Sequence, residues 1–323
     1  MSRELLTAMR RRSGQYITQH RWLPGQVAIT WLSIALGLFL AGQNKWWVVA
    51  ASIPAFLTAF IWGYIQRALR SEKFPPLTHL QRRQYSETWN ALSGSLSESY
   101  AAVAGQHDES SLRYSSIATI NNLTELLAIS PEDDVLEIGC GIGRIGRELA
   151  PHCRSWTGAD ISPNMLAHAR TRLQDLKNVN LALLQDVSLS DFPGEAFDAV
   201  YMTNMLMHLD EMDRWKYVSE ASRVLRPGGR LFFDNVDIES DQGWRMFAND
   251  AQRYSVWQRP PYMPRYSTSA ELMAYANRAG FENVCVHHRP PLAIVTARKA
   301  VSAKTVRTEK SAAPASIKSV VGT

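Results

Sequence analysis

An α/β domain on a mainly parallel sheet with helices on both faces, preceded by a two-helix transmembrane hairpin, is the fold class this 323-residue sequence predicts. Three observations predict it. Short apolar runs alternate with helical patterns after Pro131, which is how a parallel sheet reads. Two uncharged stretches of 23 and 21 residues stand on either side of Lys45. Positive charge is gathered in the flanks of the chain rather than in its body.

Composition sets the outer bounds. Hydrophobic residues make up 46% and charged residues 20%, which excludes a disordered chain. The three cysteines, Cys140, Cys153 and Cys285, form no C-x-x-C pair, so neither a disulfide framework nor a zinc ribbon is expected. The net charge of +5 invites a nucleic-acid reading, but residues 84–297 hold 18 basic and 27 acidic residues. An acidic body is a poor partner for a phosphate backbone, so no nucleic acid is expected as a partner.

Residues 1–21, with five Arg and one Glu, form a basic N-terminus. Residues 22–66 are the hairpin. Val27–Ala41 and Trp46–Gln66 approach the roughly 20 apolar residues that cross a bilayer as a helix. Gly42-Gln43-Asn44 makes the turn, and Trp22, Trp46, Trp47 and Trp62 lie near the ends, where indole rings favour the interface. Basic residues flank the pair on both sides, which places both termini and the following domain in the cytosol. Residues 67–110, interrupted by Pro75-Pro76, read as a juxtamembrane linker with short helices and a possible lid that contains Tyr100 and His107. Residues 111–299 form the domain, and 300–323 a disordered basic tail.

Within the domain, Val135–Ile138 is the first strand, followed by a helical stretch at Gly143–Ala150. Ser155–Ile161 is the second strand. Ser162 then caps a helix with Pro163 at its first position. Val179–Leu184 and Phe197–Met202 are strands three and four, and a helix follows through Tyr217–Leu225. Pro227-Gly228-Gly229 turns into a fifth strand, Arg230–Asp234. Thr268-x-x-Glu271 reads as a capping box for a helix to Ala279, and two strands close the domain around Pro290-Pro291.

The chemistry concentrates in Glu137-Ile138-Gly139-Cys140-Gly141-Ile142-Gly143-Arg144. Alternating glycines let a ligand lie against bare main chain. Arg144 stands where a dinucleotide fingerprint needs glycine, and no Gly-Lys-Ser/Thr is present for a phosphate loop. An acid ahead of the first glycine suits a ligand with an amine and a positive centre.

Taken with the marks that follow it, this loop resembles the Rossmann-like class I methyltransferases, nearest the branch that includes the ubiquinone and menaquinone biosynthesis enzymes. The resemblance spans about 112–298. It rests on the glycine loop, on Gly158-Ala159-Asp160-Ile161-Ser162, on Met165-Leu166, on Gln185-Asp186-Val187, on Phe197-Asp198-Ala199-Val200 and on Arg226-Pro227-Gly228-Gly229. It implies S-adenosyl-L-methionine as cofactor. The cofactor-binding residues it implies are Glu137, Gly139, Cys140, Gly141, Gly143, Asp160, Ile161, Met165, Asp186, Val187 and Thr203. Of these, Asp160 would accept from the ribose hydroxyls and Asp186 would meet the adenine amino group.

The segment Thr203–Leu209 faces the methyl group in such enzymes. His208 within it is the one candidate general base, with a role in ordering the loop as its alternative. Tyr201, Asp234 and Asn235 are further strand-end candidates, and Trp244, Tyr254, Trp257, Tyr262 and Tyr266 form an aromatic insert able to cap the acceptor. His287 and His288 are adjacent in a strand and point to opposite faces, so no metal site is expected. The expected function is a membrane-anchored methyltransferase with the bilayer and a lipid-soluble or lipid-linked small molecule as partners. The alternative is a non-catalytic membrane module that binds the cofactor or acts as a scaffold.

Overall fold

The computed structural model describes residues 81, 84–255 and 258–301. The expected basic N-terminus, the hairpin 22–66, Trp257 and the tail from residue 302 lie outside the described residues, as does the linker up to residue 80. Among the described residues no helix is long and apolar enough to cross a membrane.

Among the described residues three helices precede the sheet: α1 (Tyr85–Ala91), α2 (Leu96–Ala104) and α3 (Glu109–Leu127). A reciprocal capping box opens α2. The Glu98 N–H donates to Ser95 Oγ, and the Ser95 N–H donates to Glu98 Oε2 at 2.8 Å. Asp108 caps α3, and Leu112, Ser116, Leu123 and Leu127 form its buried stripe. There follow β1 (Asp134–Ile138), a short α4 (Gly146–Leu149), β2 (Ser155–Asp160), α5 (Pro163–Arg172), β3 (Val179–Leu183), β4 (Phe197–Met202), α6 (Glu211–Val224), β5 (Leu225–Val236), α7 (Asp241–Arg253), α8 (Ser269–Arg278), β6 (Phe281–Arg289) and β7 (Leu292–Lys299).

The strands form one sheet in the order β3-β2-β1-β4-β5-β7-β6. The first five are parallel, and β7 runs antiparallel between β5 and β6. Alternation along the strands feeds two cores. Leu136, Ile138, Val200, Met202, Leu231 and Phe233 pack with α6 and α8 on one face. Val135, Ala199, Tyr201 and Phe232 pack with α3, α4 and α5 on the other. Period-two strands buried on both faces give the near-continuous apolar runs seen in the sequence.

Three local expectations are corrected. The helix expected over Gly143–Ala150 is only α4, followed by a 3-10 turn at Ala150–His152. Gly143 has φ +70°, outside helical geometry, and Pro151 has no N–H to continue the ladder. The Pro227-Gly228-Gly229 turn lies inside the longer β5, opposite an irregular register between Phe197 and Ala199, with Gly228 at φ +78°. The Thr268 box is half made. Thr268 caps the Glu271 N–H, but the Glu271 carboxylate turns to Arg214 and to the Tyr275 hydroxyl.

Trp156 is the pillar of the β1–β2 face. Its ring is fully buried, and a Cβ on Gly146 or Gly158 would come within 2.2 or 2.3 Å of it. The two glycines make the slot that holds the indole. Trp156→Ala is expected to lower unfolding stability by about 3–5 kcal/mol, because little else can fill the space. Urea unfolding with the m-value held constant measures it.

Candidate active site

A cavity of about 560 Å³ opens at the carboxyl ends of β1, β2 and β4, where open α/β sheets bind ligands. It is built from the glycine loop upward. The N–H groups of Gly139 and Cys140 both donate to the Ala159 carbonyl, which ties the loop to the end of β2. The Gly141 N–H donates to Asp160 Oδ2, and the Ser162 N–H donates to Asp160 Oδ1, each at 2.8 Å. The Asp160 carboxylate therefore clamps the loop to the first turn of α5. Burial raises its pKa, opposed by these backbone donors. Gly139 has φ +75°, and a Cβ there would reach 2.5 Å from Met205 Cγ. Only glycine leaves this bend both unstrained and open.

Glu137 sits at the end of β1, buried at 3% exposure. Burial pushes its carboxyl up to about 8, while the Tyr201 hydroxyl bond and the Arg144 charge act to lower it. Tyr201 donates to Glu137 Oε2 at 2.7 Å and accepts from Trp156 Nε1 at 2.9 Å. This chain of donors fixes the carboxylate from behind. Asp234, also fully enclosed, accepts from the Asn204 N–H at 2.7 Å, and burial raises it to about 7.

Of the residues expected at the site, Glu137, Gly139, Cys140, Gly141, Asp160, Ile161, Met165 and Thr203 line this one cavity, and so does His208. Gly143, Asp186 and Val187 do not. Gly143 gives room to Leu173, whose Cδ1 a Cβ would approach to 2.6 Å. Asp186 is exposed after β3. His208 Nδ1 lies 2.9 Å from the Tyr262 carbonyl, and its ring meets Trp89 edge-on at 4.7 Å. A carbonyl only accepts, so Nδ1 carries the proton and the lone pair of the neutral ring lies on Nε2.

Tyr201 and Asn235, weighed as acceptor ligands, are occupied elsewhere: Tyr201 as above, and Asn235 Nδ2 by Ser267 Oγ at 2.7 Å. His287 bonds Thr296 and His288 lies 3.4 Å from Asp237, on separate sides of the strand. No group of metal-ligating side chains occurs among the described residues. In the aromatic insert, Trp244 is 55% exposed and Phe247 contacts both Trp244 and Tyr266. The insert touches the cavity wall from outside, where the Tyr262 carbonyl meets His208.

Residues 135–229 match the family described as "Methyltransferase domain". This stretch is a methyltransferase domain. The fold is that of the S-adenosylmethionine-dependent methyltransferases. Demethylmenaquinone methyltransferase of Tropheryma whipplei is 35% identical over 108 residues, which cover 33% of this chain and 43% of that enzyme. Ubiquinone biosynthesis O-methyltransferase of Coxiella burnetii is 23% identical over 149 residues, or 43% of this chain and 62% of that enzyme. The chain thus spans about half the length of these curated relatives. Magnesium protoporphyrin IX methyltransferase of Synechocystis, solved with bound S-adenosylhomocysteine, superimposes with a TM-score of 0.51 at 15% identity, covering 67% of this chain and 98% of that one.

The possible lid expected within 67–110 roofs the methyltransferase loop, but through residues other than Tyr100 and His107. Tyr85 and Trp89 of α1 and the segment Ala101–Gly105 at the end of α2 line the cavity. Val103 Cγ1 would lie 3.1 Å from a Cβ on Gly141. Asn90 of α1 meets the Ser162 hydroxyl at 2.7 Å, and the Tyr85 hydroxyl donates to Asp213 Oδ2 at 2.7 Å. The Ser95-x-x-Glu98 box was the available signal for α2.

Proposed function

We propose that the chain is a membrane-anchored S-adenosylmethionine-dependent methyltransferase that acts on a small, lipid-soluble or lipid-linked acceptor by in-line methyl transfer. The observation that carries the transfer reading is the convergence of Glu137, the Gly139–Gly141 bend, Asp160 and Met165 on one cavity. The residues fit the cofactor. The bend admits no Cβ at Gly139, and a buried carboxylate faces the space from the end of β1.

When bound, the cofactor supplies a methyl group already activated on a sulfonium, so alignment does much of the work. Glu137 and the loop would hold its cationic amino-acid end, Asp160 the ribose hydroxyls, Ile161 and Met165 the base, and Thr203 the methionine side. For Asp186 and Val187 the assignment rests on the resemblance alone. His208, ordered by its Nδ1 contact with the Tyr262 carbonyl, is the candidate general base for an acceptor hydroxyl. Trp89 and the Ala101–Gly105 segment roof the cavity.

The lipid-like acceptor is supported by the two uncharged stretches between Arg21 and Arg67, with basic residues on both sides. Anchoring would put the catalytic domain on the cytosolic face, where such an acceptor is concentrated. The names of the quinone-modifying relatives point the same way. The acidic body supports a small-molecule acceptor over nucleic acid.

Membranes containing the full chain, incubated with methyl-radiolabelled S-adenosylmethionine and then partitioned, test the reading. Label is expected in the organic phase. Label retained on protein, or none transferred with cofactor still bound, favours protein methylation or the non-catalytic module.

A further inference from the structure

The cavity wall contains a cation that the loop does not need. Arg144 follows the last glycine and is 8% exposed, yet among the described residues its guanidinium has a single hydrogen-bond partner, Ser116 Oγ of α3, at 3.1 Å from Nη1. It makes no ion pair within 4 Å there. A guanidinium carries five N–H donors, and buried charge without partners is costly. Arg214 provides the internal comparison. It is fully buried and bonded through Nε, Nη1 and Nη2 to the Leu206 carbonyl, Ser267, Glu271 and the Arg265 carbonyl. Arg214 is thus saturated by groups of its own chain. Arg144 is not, and it lines the ligand cavity.

The surrounding charge narrows what can complete it. Glu137 and Asp234 lie near enough to act on Arg144 electrostatically, and Asp160 lines the same cavity. A simple anion would meet Arg144 but bring no cation to the Glu137 carboxyl. A zwitterion satisfies both, with an ammonium toward Glu137 and a planar carboxylate on the guanidinium fork. We propose that Arg144 is the residue that recognises the carboxylate of the donor's amino-acid end, so that the site selects an intact α-amino acid group. This rests on the cofactor reading above and extends it to a residue that neither the glycine pattern nor the family match assigns.

The test compares S-adenosylmethionine with its decarboxylated form, which lacks only that carboxylate, by calorimetry on wild type, Arg144→Gln and Arg144→Lys in the full chain. Wild type is expected to prefer the intact ligand by roughly 30–100-fold. Arg144→Gln is expected to lose that preference, with decarboxylated ligand bound within about threefold of wild type, and Arg144→Lys to keep part of it. The melting temperature of Arg144→Gln is expected to hold or rise, since an under-bonded buried charge is removed. Equal weakening for both ligands, or no change for either, would overturn the Arg144 assignment while leaving the cofactor reading intact. Wild type that binds neither ligand would overturn both.

Discussion

Asp160→Ala is expected to weaken S-adenosylhomocysteine binding by roughly 100-fold or more, because the two charge-assisted bonds proposed for the ribose are lost together. The same change is expected to lower stability by about 2–4 kcal/mol. The N–H groups of Gly141 and Ser162, both tied to this carboxylate at 2.8 Å, would be left without acceptors in a closed space. Asp160→Asn separates the two effects. Its amide oxygen can accept from one N–H, so stability recovers in part, while binding stays weak because the amide N–H₂ opposes the second donor. Calorimetry and urea unfolding on the same samples measure both. Unchanged affinity in Asp160→Ala would sink the cofactor assignment.

The second large effect concerns Glu137 and pH. In the folded protein its carboxyl is raised from the ordinary 4.5 to about 8 by burial. Between those values the folded state holds a proton that the unfolded chain has released. Its contribution to stability is therefore complete below pH 4.5 and is lost as the pH rises to about 8, a change on the order of a few kcal/mol. A cationic ligand favours the ionised carboxylate. Below pH 8 its binding must expel a proton, so affinity is expected to rise with pH, at most about tenfold per unit, and to level off above 8.

Glu137→Gln keeps an oxygen to accept from Tyr201 but holds no proton to release. It is expected to bind roughly 30–100-fold more weakly than wild type at pH 8.5. It is also expected to be the more stable protein there. Asp234 and Asp160 are raised by burial in the same way, so the assignment rests on the difference in slope between wild type and Glu137→Gln. Calorimetry in buffers of different ionisation enthalpy counts the released proton. Proton uptake on binding, or none, would contradict this assignment.

Much of the site was legible before any coordinates. The glycine loop, Asp160 and Met165 stand at the ends of strands whose period-two patterns are plain in the sequence, and a strand end in a parallel sheet has one place to point. Asp186 and Gly143 were read by the same pattern but do not line the cavity. Asp186 sits in the turn after β3, where one rotation of the chain decides whether a carboxylate faces inward or out. Gly143 matters through Leu173, a contact that no spacing rule contains.

The roof was legible as a segment, in the possible lid within 67–110, but not residue by residue. Tyr85, Trp89 and Val103 come from helices whose polar sequences resemble a linker. Their few apolar residues become meaningful only against the Gly141 loop and the start of α5. Tyr201 looked like a strand-end ligand and proved to be the support of Glu137 from beneath. Arg144 looked like a mere departure from another loop type and proved to be an under-bonded cation in the cavity wall.

By itself the sequence determined the order of strands and helices, the acidic body between basic flanks, the uncharged stretches near the N-terminus and the bend that a bare main chain permits. All of these follow from local geometry and periodicity along the chain. Only the tertiary structure decided which acids are enclosed, which arginine is saturated and what closes the cavity. Those properties depend on the loss of water and on partners distant in sequence, as with Trp156, Tyr201 and Glu137, and distance in space is not written in spacing along the chain.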